Sequence, residues 1–133
     1  MYKHILLPTD GSERSIRAVT AGIELAKALN AKVTALFAIE PTYIPGADEG
    51  LGPRAEAALS AVAQRAKEAG VTPACVSMLG DTPQDAIIQF AKEKGCDLII
   101  MGTHGRSKVG KFFLGSVAAS VLADCEIPVL LYR

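Results

Sequence analysis

At 133 residues the chain has the length of one domain, residues 1–133, enough to bury a sizeable core. It is 50% hydrophobic but only 5% aromatic, with no Trp, so that core is built from Ala, Val, Ile and Leu. Its 14 basic and 14 acidic residues cancel, which argues against nucleic-acid and membrane-surface partners, and no apolar run approaches the ~18 residues that cross a bilayer.

The N-terminal Met1-Tyr2-Lys3-His4-Ile5-Leu6-Leu7 carries three strong apolar residues before Pro8-Thr9-Asp10, too few for a signal-peptide core. Cys75, Cys96 and Cys125 form no CxxC and no zinc spacing. An odd count without a secretion signal reads as reduced thiols of a cytoplasmic protein, each packing as a small hydrophobe.

His4 to Pro8 reads as the first strand, stopped by Pro8. Asp10-Gly11-Ser12 is a turn, with Ser12 placed to cap a helix. Ile16, Val19, Ile23 and Ala26 recur at helical spacing, with Ala18, Gly22, Leu25 and Leu29 alongside, and Asn30 can end that helix. Val33 to Ile39 is the second strand. Residues 40–53 hold three prolines and three glycines and read as a long loop. The second helix runs from Arg54 to Ala69, with Ala58, Leu59, Val62, Ala66 and Ala69 inward, and stops at Gly70.

Ala74 to Leu79 is the third strand. Thr82-Pro83-Gln84-Asp85 is a helix start: a capping Thr, Pro at the first helical position and an acid at the third. That helix turns Ala86, Ile87, Phe90 and Ala91 inward and ends at Gly95. Leu98 to Met101 is the fourth strand, and its lack of alternation predicts burial on both faces. A last helix spans Ser116 to Asp124, and Ile127 to Tyr132 is the fifth strand. Strict alternation of strand and helix predicts a three-layer α/β/α sandwich around a five-stranded parallel sheet.

The fourth strand runs into Gly102-Thr103-His104-Gly105, then nine residues, then Gly115-Ser116. Glycines let backbone N–H groups approach an anion, and a helix N-terminus adds free donors and a positive dipole end. No acid lies between Leu98 and Ala123, and Arg106, Lys108 and Lys111 fall in the spacer. The stretch suits a phosphate chain.

Three segments together resemble the universal stress protein family: Ile5-Leu6-Leu7-Pro8-Thr9-Asp10-Gly11-Ser12, the G-x2-G-x9-G-S stretch, and Ile127-Pro128-Val129-Leu130-Leu131. They cover essentially the whole chain in the right order, and the glycine motif is that of the family's ATP-binding branch. The resemblance implies a Rossmann-like nucleotide-binding fold with strand order 3-2-1-4-5, so that Asp10 and Gly102 flank one crevice. It assigns Gly102 and Gly105 to ribose and phosphates, and Gly115, Ser116 and Val117 to phosphates. Asp10 goes to the nucleoside and the backbone of Ala38 to the adenine edge, with Pro8, Thr9, Met101 and Arg106 in the same binding set. ATP or another adenine nucleotide is the expected ligand, with Mg2+ held by its phosphates, since no cluster of acids stands ready for a metal. A homodimer through Ile127–Tyr132 is also implied.

No catalytic residue is assigned, because His104 has no accompanying nucleophile pattern. A phospho-receiver domain needs a Lys after the fifth strand, and the sequence ends at Arg133. An ATP-using adenylating enzyme needs a longer loop after the first strand than Thr9-Asp10-Gly11-Ser12, and a dinucleotide site needs GxGxxG there. The expectation is a nucleotide-dependent regulatory protein with slow or absent hydrolysis. The alternatives are a dimeric interaction protein that binds AMP or another adenine nucleotide, and a slow ATPase.

Overall fold

A computed structural model describes residues 1–39, 51–103 and 114–133. Its elements are β1 (His4–Pro8), α1 (Glu13–Leu29), β2 (Lys32–Ile39), α2 (Leu51–Ala69), β3 (Ala74–Leu79), α3 (Pro83–Glu93), β4 (Leu98–Gly102), α4 (Ser116–Asp124) and β5 (Val129–Tyr132). All neighbouring strands are parallel, in the order β3-β2-β1-β4-β5. This is the Rossmann-like α/β sandwich.

Alternation along each strand feeds two cores. Ile5, Leu7, Val33, Ala35, Leu98 and Ile100 meet Val19, Ile23 and Ala26 of α1 and Val62 and Ala66 of α2. Leu6, Leu36, Ile99 and Met101 meet Ile87, Phe90 and Ala91 of α3 and Ala118 and Val121 of α4 on the other face. Ile5 to Pro8 of β1 and Leu98 to Met101 of β4 are therefore apolar at consecutive positions, because both faces of these strands are covered.

The helix boundaries follow local chemistry. Ser12 accepts the Ser15 amide at the start of α1, and Asn30 closes that helix in the left-handed region at φ 55. Thr82 accepts the Asp85 amide, with Pro83 in the first turn of α3.

Four readings need correction. Residues 51–53 are helical rather than loop. Pro53 sits in the first turn of α2, where amides have no intrahelical acceptor, so its missing N–H costs nothing there. Leu29, at the last turn of α1, is 38% exposed. β5 begins at Val129, not Ile127: the Pro128 carbonyl accepts the Ile99 amide, but Pro128 has no N–H to return.

Cys75 is exposed on edge strand β3 rather than packed. Cys96 does behave as a core residue: burial, and then the charge of Asp97, push its thiol up to about 11. All three cysteines are free.

Candidate functional site

The order β3-β2-β1-β4-β5 reverses direction between β1 and β4, and the sequence tells why a crevice opens there. The Thr9 amide donates to the Leu36 carbonyl, and the Asp97 amide donates to the His4 carbonyl. Odd positions of β1 thus address β2 and even positions address β4. The amide after Leu6 that should reach β4 belongs to Pro8, which has no hydrogen. Pairing with β2 runs on to Pro8↔Leu36, whereas pairing with β4 stops at Leu6↔Ile99. Pro8 ends the ladder at the point where a ligand would enter.

On the β1 side the crevice begins with a tightly bonded loop. The Gly11 amide donates to Thr9 Oγ1 at 3.1 Å, and the Ser12 amide donates to Asp10 Oδ1 at 2.9 Å. Side chains at two successive positions thereby mimic turns. Gly11 sits at φ +82, and Ala58 of α2 would touch any Cβ added there, at 3.3 Å. Asp10 is half-buried, whereas Pro8 and Thr9 are buried. Thr9 Oγ1 is 2.8 Å from Ser15 Oγ, so its hydroxyl is committed within the loop.

On the β4 side Gly102 ends the strand, and the Thr103 amide donates to the Tyr132 carbonyl at 3.2 Å. The Gly115 amide donates to the Thr103 carbonyl at 2.7 Å. The N-terminus of α4 is thereby held at the carboxyl end of β4. Gly115 occupies its N-cap at φ −60, ψ 153, with no side-chain cap and no acid in the first turn. Ser116 is exposed at this end, and Val117 and Leu114 pack toward the α3/α4 core. Gly105 and Arg106, like Lys108 and Lys111, lie outside the described residues.

The two helix starts that flank the crevice differ. At that of α1, Ser12 accepts the Ser15 amide and the acid Glu13 stands at the positive end. That of α4 places the amides of Ser116, Val117 and Ala118 at its end with no capping side chain among the described residues. An anion is favoured on the α4 side, and a group that donates hydrogen bonds on the Asp10 side.

Ala38 lies near the carboxyl end of β2 in register with Met78, its methyl turned toward the α3/α4 core. Met101 is buried in that same core, so its backbone rather than its side chain borders the crevice. Of the sequence-assigned residues, the structure gathers Pro8, Thr9, Asp10, Ala38, Met101, Gly102, Gly115, Ser116 and Val117 at one end of the sheet. Sequence reading missed Ser15, although its spacing to Ala18, Val19 and Gly22 puts a hydroxyl on the buried stripe of α1. Among the described residues no group of His, Cys, Asp and Glu could hold a metal ion, and no helix is long and apolar enough to cross a membrane.

The fold defines a doubly wound α/β protein with a crevice between β1 and β4 at the strand carboxyl ends. The model of the universal stress protein family matches residues 1–133, and the chain belongs to that family.

Universal stress protein MJ0531 of Methanocaldococcus jannaschii is 34% identical over 142 residues, covering 100% of this chain and 83% of the relative. A universal stress protein of Thermus aquaticus is 38% identical over 137 residues, covering 100% of both. Among solved structures, a universal stress protein in complex with cAMP superposes with TM-score 0.81 at 31% identity, covering 99% of this chain and 97% of that one. The MJ0577 protein superposes with TM-score 0.84 at 28% identity, covering 98% and 95%.

Proposed function

We propose that this protein binds an adenine nucleotide, ATP first, in the crevice between β1 and β4, and acts as a nucleotide-dependent regulator in the cytoplasm. The observation that carries this reading is the start of α4, which among the described residues has no capping side chain and no acid in its first turn, opposite the Asp10 loop, whose helix start is capped by Ser12. Phosphates suit the amides of Ser116, Val117 and Ala118 and the Ser116 hydroxyl. The Asp10 carboxylate suits ribose hydroxyls, to which it can only accept. Arg106, Lys108 and Lys111 in the acid-free spacer favour a polyphosphate over a neutral ligand. Mg2+ would arrive on the phosphates.

The nucleotide serves as a ligand that biases conformation or partner choice, and hydrolysis is slow or absent. The described site supplies no positioned general base to activate water. The similar protein solved with cAMP favours a second reading, in which a monophosphate such as AMP is the resident ligand. A homodimer through β5 belongs to the same proposal.

Titration calorimetry with ATP, AMP and GTP, each with and without Mg2+, tests the reading. Saturable binding of ATP in preference to GTP is expected. AMP binding more tightly than ATP selects the second reading, and no binding of any adenine nucleotide removes both.

A further inference from the structure

We infer that Ser15, a buried residue of α1 outside the crevice, is a positioning residue that holds Asp10 ready for the nucleoside; this rests on the nucleotide reading above. Four polar contacts carry the inference. Ser15 Oγ donates to the Ser12 carbonyl at 3.0 Å. With its proton so used, Ser15 Oγ must accept from Thr9 Oγ1, 2.8 Å away. Thr9 Oγ1 in turn accepts the Gly11 amide at 3.1 Å. The bonds therefore run one way, from Gly11 N–H through Thr9 and Ser15 to the Ser12 carbonyl. Asp10 lies inside this ring, its Oδ1 taking the Ser12 amide at 2.9 Å.

Ser15 and Thr9 are 7% and 6% exposed, so water does not compete for these hydroxyls. Removing the Ser15 hydroxyl frees the Thr9 hydroxyl to rotate, and Gly11 loses its fixed acceptor. Glycine reaches φ +82 without strain but equally reaches other conformations, so the turn after Asp10 depends on the acceptor that holds the Gly11 amide. Asp10 keeps its charge but not its set direction. The loss falls on groups that Asp10 meets, and not on the phosphate end at α4.

Affinities of Ser15→Ala for adenosine, ATP and inorganic tripolyphosphate, measured by calorimetry, test this. Adenosine and ATP should weaken by roughly threefold to tenfold, the scale of one neutral hydrogen bond, with tripolyphosphate unchanged. In an Asp10→Ala background the same Ser15→Ala change should cost ATP nothing further. Losses that add in the double variant, or a matching loss of tripolyphosphate, overturn the inference, since a general loosening of the fold would produce either. If Ser15→Ala does not fold, Thr9→Val breaks the same relay with its shape retained and should reproduce the selective loss. If neither folds, the pair is a folding requirement and the positioning role is wrong. A wild type that binds neither adenosine nor ATP fails the nucleotide reading itself, a result distinct from equal affinities in wild type and variant.

Discussion

The Gly115 amide donates to the Thr103 carbonyl at 2.7 Å, so the chain that leaves β4 comes back to the same point before α4 begins. This bond sets the helix start beside the strand end, at the switch point. Gly115 needs no special backbone freedom to do so, since φ −60, ψ 153 is open to any L-residue. On the proposed reading, a branched side chain there would stand where a phosphate must sit. Gly115→Val should therefore fold with little change in melting temperature and lose ATP affinity by on the order of tenfold or more, the scale of charge-assisted bonds to phosphate. Calorimetry beside a thermal melt decides it: a folded variant with unchanged ATP affinity removes the phosphate assignment at α4.

Asp10→Ala removes the carboxylate and with it the turn bond from the Ser12 amide. ATP and adenosine should lose similar free energy, on the order of 1–3 kcal/mol for a charged hydrogen bond. Loss of ATP affinity with adenosine unaffected would instead put Asp10 at the phosphates or the metal.

The edge strand β5 has two unlike sides. Val129 and Leu131 pack against the α3/α4 core, whereas Leu130 and Tyr132 are 40% and 39% exposed. An uncharged edge with exposed apolar side chains is a surface that soluble proteins usually cover. Leu130→Lys should convert a dimer to monomer with the fold retained, and Val129→Lys should destabilise the fold by setting a charge against the α3/α4 core. Sedimentation velocity reads both. A monomeric wild type, with and without ATP, sinks the β5 dimer.

At the opposite end of the sheet the Asp97 carboxylate accepts the His4 amide at 2.9 Å and the Lys3 amide at 2.8 Å. Slight burial pushes its pKa up, but the His4 and Lys3 amides, helped by the His4 ring, outweigh that and hold it below the ordinary 3.8. A lowered carboxyl pKa stabilises the fold fully above the unfolded value, and the contribution disappears as pH falls through the folded one. Asp97→Asn should melt below wild type at neutral pH, with the gap closing below 3.8. A gap constant across that range would show that charge plays no part.

The cores were legible because each strand of the pair β1 and β4 is apolar at consecutive positions, and the Thr82-Pro83 and Asn30 signals mark helix ends by local chemistry alone. Leu51–Pro53 was not legible, because proline and glycine forbid helix in the interior but not in a first turn. At the site, Asp10 and Gly115 could be placed from strand and helix ends. The Thr9–Ser15 bond could not, since it depends on how the turn folds back onto α1 and not on spacing along the chain. Gly105 and Arg106 lie outside the described residues. The exposure of Cys75 follows from β3 being an edge strand, which composition does not report.

β1 and β4 are fastened by Asp97 at one end and parted by Pro8 at the other, like the prongs of a fork. The prongs carry different loads: β1 leads to β2 and β3, and β4 leads to β5. A molecule laid across the tips would tie two halves of the sheet that share no ladder pair there. Its binding energy would then appear as resistance to prying the halves apart, growing with ligand concentration and leaving the Asp97 end untouched.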